Sequence, residues 1–219
     1  MTEYHGNVHV GGPAQTHELA KLMISKVAVG PMDNNAYLLR CRQTDQQVLI
    51  DAANDVGTLL SLIGSGGIGR VITTHQHGDH WQALAEVVAR TGATTVAGRD
   101  DAEGIPVPTD EPVGDGDTIR FGEITLEVIQ LVGHTPGSIA LLYDDPTGPP
   151  HLFTGDSLFP GGVGNTRGDK KNFESLLHDV ETKLFDRLPD ETWVYPGHGA
   201  DTTLGTERPA LPEWRARGW

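Results

Sequence analysis

Six consecutive residues, His75-Gln76-His77-Gly78-Asp79-His80, constrain this chain more than any other stretch. They follow a short apolar run, Arg70 to Thr73, that reads as a strand. They precede a segment in which Leu84, Val87 and Val88 recur at helical spacing before Gly92. On an extended segment, residues two apart point the same way, so His75 and His77 can reach one cation. Asp79 and His80 fall at the start of the helix and turn in another direction. Four potential ligands therefore crowd together without converging on a single ion, and two neighbouring ions are the natural solution.

Three distant residues extend the set. His134 follows the strand ending near Leu131, within Gly133-His134-Thr135-Pro136-Gly137. Asp156 follows Leu152–Thr154, and His198 follows Trp193–Tyr195 within Pro196-Gly197-His198-Gly199. Each lies at the C-terminal end of an apolar strand beside glycine, where a strand end holds a side chain rigidly and glycine permits a tight backbone. With the first cluster they make seven hard or borderline ligands, enough for two divalent ions sharing a bridging carboxylate.

The rest of the pattern sets the frame. Strands are expected at Leu22–Val29, Ala36–Arg42, Val48–Ile50, Arg70–Thr73, Thr94–Ala97, Ile119–Leu131 (two strands around Gly122), Ile139–Tyr143, Leu152–Thr154 and Trp193–Tyr195. Asp55 is positioned to cap a helix through Leu59, Leu60 and Ile63, and Phe173 to Leu184 carries an amphipathic stripe. Asp100 to Gly116, rich in proline and acid, reads as loop. Strands outnumber helices, which predicts β-sheets with helices packed outside, an α/β or α+β layered domain. The 219 residues suit one domain over 1–219, with a short N-terminal extension over 1–20 and a tail over 200–219 in which Trp214 and Trp219 pack back.

Composition removes several classes of partner. The net charge of −14 disfavours nucleic acid and anionic membranes, both of which need clustered Lys and Arg. No apolar run approaches the roughly 18 residues of a membrane span, and no export signal is evident, so a cytoplasmic protein is expected. The single cysteine, Cys41, excludes an internal disulfide and a Cys-rich zinc site; within a strand it reads as a buried small residue. His5, His9, His17, His151 and His178 match no motif and read as surface or structural.

Thr74-His75-Gln76-His77-Gly78-Asp79-His80 resembles the HxHxDH signature of the metallo-β-lactamase superfamily. Asp51 after Val48–Ile50, Gly133-His134-Thr135-Pro136-Gly137-Ser138, Gly155-Asp156 and Gly197-His198 match the later motifs of that family in order. The resemblance covers about Leu22 to His198. It implies an αββα sandwich, two β-sheets with helices outside, and a site at one edge of the sheets. It assigns His75, His77 and His134 to one metal, Asp79, His80 and His198 to the other, and Asp156 as the bridge. Asp51 resembles the family's aspartate that orients a ligand without binding metal.

Asp156-Ser157-Leu158-Phe159 with Gly161-Gly162-Val163-Gly164 resembles the glyoxalase II-like branch, which hydrolyses hydroxyacyl-thiol thioesters. The 21 residues that follow His198 are not expected to form the helical C-terminal domain through which glyoxalase II helps hold glutathione, so the resemblance leaves the thiol carrier open. The implied cofactors are two divalent ions, zinc first and iron or manganese as alternatives. Two such ions about 3.5–4 Å apart hold a hydroxide at neutral pH and stabilise the oxyanion it forms on a carbonyl. Asp156 and Asp79 are the expected catalytic carboxylates, Asp79 being able to take a proton from the water. A thiolate leaves unprotonated, since its pKa lies near 8.5. The expected partner is thus a small-molecule thioester. Arg167, Lys170 and Lys171, next to the Gly161–Gly164 loop, are candidate anion-binding residues. Two alternatives remain: an iron-dependent persulfide dioxygenase-like oxidoreductase using His75, His134 and Asp156, and another hydrolase of this fold, such as a lactonase.

Overall fold

Aliphatic and β-branched runs broken by glycine build two facing sheets in the computed structural model, which describes residues 4–218. The first sheet has seven strands in chain order: β1 (Gln15–Glu18), β2 (Leu22–Val29), β3 (Asn34–Cys41), β4 (Gln47–Ile50), β5 (Arg70–Thr73), β6 (Thr94–Gly98) and β7 (Glu111–Val113). Pairing is antiparallel from β1 to β4 and parallel from β4 to β7. Parallel neighbours need a crossover. Helix α1 (Val56–Ile63) makes the one between β4 and β5, and α2 (Leu84–Thr91) the one between β5 and β6. Asp55 caps α1 by accepting from Thr58 N, and Gly92 ends α2 in the left-handed conformation, as the sequence predicts.

The second sheet contains β8 (Thr118–Phe121), β9 (Ile124–Gln130), β10 (Ile139–Tyr143) and β11 (His151–Gly155). The small hairpin β12 (Leu158–Phe159) and β13 (Gly162–Val163) stands outside it, and α3 (Lys170–Asp179) leads on to β14 (Trp193–Pro196) and β15 (Thr202–Thr203). Sheet order is β15-β14-β11-β10-β9-β8. Three apolar layers hold the four-layer αββα stack. Leu39, Ile50, Leu126, Leu141, Phe153 and Tyr195 fill the space between the sheets. Leu59, Ile63, Leu84 and Val87 bury α1 and α2 against one sheet, and Phe173, Leu176 and Leu177 bury α3 against the other. Full burial of such a side chain contributes roughly 1.5–3 kcal/mol, so these layers carry the fold and leave the loops at the sheet edge free for polar groups.

Three expectations change. The helix predicted over Phe173–Leu184 is α-helical only to Asp179; Val180–Phe185 widens into a π-type turn, closed by Asp186 N donating to Glu181 O. The loop predicted over Asp100–Gly116 contains β7, an edge strand, where Pro112 is tolerated. The terminal segments are integral rather than appended: β1 pairs with β2, β15 pairs with β14, and α4 (Leu204–Glu207) and α5 (Leu211–Arg217) close over the second sheet. Trp214 is buried in that contact, whereas Trp219 lies outside the described residues. Among the described residues no helix is long and apolar enough to cross a membrane.

Candidate metal centre

The C-terminal ends of β4, β5, β6, β11 and β14, and the β9–β10 turn, meet at one edge of the sandwich. Each delivers a polar side chain from a rigid strand end. β5 leads into His75 and His77, a 3-10 turn over Gly78–His80 presents Asp79 and His80, the β9–β10 turn presents His134, and β11 and β14 lead into Asp156 and His198. All seven sequence-predicted ligands come together here.

They gather in three overlapping groups, His75/His77/His134, His75/His80/Asp156 and Asp79/His80/His198, within each of which the ligand atoms lie within 4.8 Å of one another. His134 Nε2 is 2.9 Å from His77 Nδ1 and 3.3 Å from His75 Nε2. His80 Nε2 is 3.4 Å from both Asp79 Oδ2 and Asp156 Oδ1. His198 Nε2 is 3.3 Å from Asp79 Oδ2 and 3.5 Å from Asp156 Oδ2, and the latter oxygen is 3.6 Å from His134 Nε2. Asp156 thus touches both halves of the cluster.

The far nitrogen of each ring is engaged from outside. His80 Nδ1 meets Asp51 Oδ2 at 2.8 Å, His134 Nδ1 meets Asn165 O at 2.8 Å, His198 Nδ1 meets Met32 O at 2.9 Å and His75 Nδ1 meets Thr74 Oγ1 at 3.1 Å. Only His77 is reversed, with Nδ1 inward and Nε2 3.3 Å from Arg167 Nη2. Outer partners of this kind fix which nitrogen a metal receives.

The donor set fits divalent cations. His80 Nε2 and Asp156 Oδ1 are buried and make no hydrogen bond, an arrangement that costs free energy unless another partner satisfies them. A Cβ at Gly197 would run into Asp156 Oδ1 and the His80 ring, so glycine there keeps the cradle open. Imidazole and carboxylate together suit zinc, iron or manganese.

Without metal the two halves differ electrically. Burial, reinforced by neighbouring imidazoles, lowers the pKa of His75 well below the ordinary value; burial also lowers that of His77 and His134. Burial opposes charge on His80 and His198 too. There the Asp51 charge and Asp156 outweigh it for His80, and Asp156 and Asp79 outweigh it for His198, so both rings rise to about 10. Asp79 is held well below the usual carboxylate range, chiefly by the His198 hydrogen bond.

The sequence profile of the metallo-beta-lactamase superfamily matches residues 29–198, a span that includes every residue of this cluster. The chain belongs to that superfamily. A hydroxyacylglutathione hydrolase of Polaromonas sp. is 37% identical over 169 residues, covering 75% of this chain and 62% of the relative's length. The probable metallo-hydrolase YqgX of Bacillus subtilis is 31% identical, covering 85% of this chain and 95% of the relative. Among solved structures, ETHE1 from Myxococcus xanthus superposes with a TM-score of 0.77 at 30% identity, covering 88% of this chain and 84% of that one. The chain spans about 62% of the hydroxyacylglutathione hydrolase just named.

Beside the superfamily's cluster lies a cavity of about 360 Å³, walled by Phe159, Pro160, Gly162, Val163, Asn165 and Arg217. It adjoins both halves: the Phe159 ring is 6.4 Å from that of His198, and Asn165 holds His134. Gly161 at its lip is clasped from both sides, its N–H donating to Glu207 Oε2 and its carbonyl accepting from Arg217 Nη2. Of the three candidate anion-binding residues, Arg167 reaches the cluster. Lys170 is exposed and pairs with Glu174 along α3, and Lys171 is exposed on the same helix.

Two groups of positioning residues are absent from the sequence reading. The buried Asp101 carboxylate accepts from Gln76 N at 2.9 Å, Gly137 N at 2.7 Å and Thr135 Oγ1 at 2.5 Å, tying the His75/His77 loop to the His134 turn. Asn34 Nδ2 donates to Asp79 Oδ2 at 2.9 Å, and Asn35 binds the carbonyls of Pro196, Gly197 and Gly199 around His198. The one sequence signal that marks them is the Asn34-Asn35 pair that opens β3.

Proposed function

We propose that this protein is a metal-dependent hydrolase that cleaves small thioesters at a binuclear centre. The observation that carries the reading is the position of Asp156 between two ligand groups, with its Oδ1 and His80 Nε2 buried and unbonded. His75, His77 and His134 would hold one ion, Asp79, His80 and His198 would hold the second, and Asp156 would be shared between the two sets. Two divalent ions bound there, zinc first and iron or manganese as alternatives, would supply Lewis acidity toward a carbonyl oxygen and would acidify water. Asp79, kept ionised by His198 and Asn34, serves as ligand and as transient proton acceptor. Asp51 acts through His80.

The thioester reading draws on three supports. A thiolate leaves without a proton, whereas an amine requires one. The named relatives include hydroxyacylglutathione hydrolases. The cavity beside the cluster has room for the portion of a substrate remote from the carbonyl, and Arg167 offers a positive charge 3.3 Å from His77 Nε2. A mononuclear iron dioxygenase would use His75, His134 and Asp156, of which His134 Nε2 lies 3.3 Å from His75 Nε2 and 3.6 Å from Asp156 Oδ2; the group of Asp79, His80 and His198 favours the binuclear hydrolase. Metal analysis of the purified protein, with turnover measured on thioester, lactone, β-lactam and persulfide substrates, separates these readings. Two ions per chain with preferred thioester cleavage is the expected result. One iron per chain with persulfide-dependent oxygen uptake would replace it with the dioxygenase.

A further inference from the structure

Lys26 on β2 is fully buried, and its ammonium group makes three hydrogen bonds: to Gly6 O at 2.6 Å, Gly199 O at 2.8 Å and Asp201 Oδ1 at 2.6 Å. Asp201 is equally withdrawn, with 2% of its side chain exposed. Its other oxygen accepts from Tyr4 Oη at 2.6 Å and Trp193 Nε1 at 3.1 Å. A buried ion pair this well satisfied is uncommon, because desolvation makes it a poor source of stability compared with apolar packing. Its location supplies a reason for it to be there. Gly199 directly follows His198, and Asn35 Nδ2 binds the same carbonyl at 3.0 Å. Tyr37 Oη and Asn35 Nδ2 together hold Pro196 O, and Asn35 N holds Gly197 O.

We infer that Lys26 and Asp201 are a buried positioning pair that holds the His198 loop, and through it the second metal site, in binding geometry. The inference rests on the binuclear reading above. The pair grips the loop at Gly199, one residue past His198, and ties it to the N-terminal segment at Gly6. His75, His77 and His134 hang from different loops, fastened by Asp51 and Asp101. Loss of the pair should therefore loosen one half of the cluster and spare the other. A contribution confined to overall stability would not distinguish the two ions.

The test is equilibrium zinc binding by metal-free protein against a chromophoric chelator, resolving the first and second equivalents. It is run on wild type, Lys26→Met, Asp201→Asn and the double variant Lys26→Met with Asp201→Leu. The double variant leaves no unpaired buried charge, so it keeps the question open if a single variant fails to fold. Ligand-orienting contacts of this kind are worth about 10–100-fold in metal affinity. The expected result is a second equivalent weakened by about that factor and a first equivalent changed less than about threefold. Equal weakening of both, or an unchanged second equivalent, would overturn the inference while leaving the binuclear reading intact. A wild type that takes up one zinc would overturn both.

Discussion

Asp51 accepts the Nδ1 proton of His80 at 2.8 Å, which leaves His80 Nε2 facing Asp79 and Asp156. The same carboxylate accepts from Thr74 N at 2.8 Å and Thr74 Oγ1 at 2.9 Å. One buried aspartate thereby sets both the ring orientation of a ligand and the start of the loop carrying His75 and His77. Asp51→Ala should weaken metal binding about 10–100-fold without changing the number of ions bound at saturation. Chelator competition followed by metal analysis checks both numbers.

The two halves of the centre should load with different proton bookkeeping. His75, His77 and His134 are already biased to the neutral form a metal needs, whereas His80 and His198 hold protons up to about 10. Ligand histidines must be neutral, so binding at the second half releases protons and strengthens as pH rises toward that value. Calorimetric titration at pH 7 in buffers of different ionisation enthalpy should show more proton release for the second equivalent than for the first. Equal release would contradict the electrostatic asymmetry.

Arg167 lies 3.3 Å from the outward nitrogen of His77, at the mouth of the cluster. A remote anchor for an anionic carrier binds ground and transition states alike, so Arg167→Ala should raise KM and leave kcat nearly unchanged. A charge-assisted hydrogen bond is worth about 1.5–3 kcal/mol, or roughly 10- to 150-fold in KM, and the effect should shrink for a short uncharged thioester. Steady-state kinetics on both substrates decide the matter. A fall in kcat with unchanged KM would remove Arg167 from this role.

Away from the centre, His151 is buried with Nδ1 2.9 Å from Tyr195 Oη, and burial, aided by His17, pushes its pKa down to about 4. An unfolded histidine titrates near 6.5. Between these values the unfolded chain binds more protons, so the native state loses stability as pH falls from about 6.5 to about 4 and no more below that. The full effect is up to about 3 kcal/mol. The advantage of wild type over His151→Asn in chemical denaturation should shrink across that window. A constant difference would show that His151 does not titrate on unfolding.

The longer strands and the seven ligand-type side chains that cluster were legible in the sequence because alternation, glycine punctuation and ligand-type spacing are local signals, whereas the pairing of strands into two sheets came from the family resemblance. Asp101 was not legible. It lies among acidic loop residues, and two of its three partners are backbone amides at Gln76 and Gly137, which leave no trace in side-chain pattern. Lys26 was hidden for the opposite reason. It interrupts an apolar strand as a solvent-facing residue would, yet its partners arrive from Gly6, Gly199 and Asp201 far along the chain. The C-terminal helices leave a weak sequence signal because Pro209 and Pro212 interrupt the segment; both occupy the first turns of short helical segments, where proline is tolerated.

Whether hydrolysis needs both ions is read by titrating metal-free protein with zinc or manganese while following cleavage of a short thioester. Activity should rise mainly with the second equivalent and reach its plateau at two ions per chain. Full activity at one equivalent, or no thioester cleavage at any loading, would contradict the binuclear thioester hydrolase.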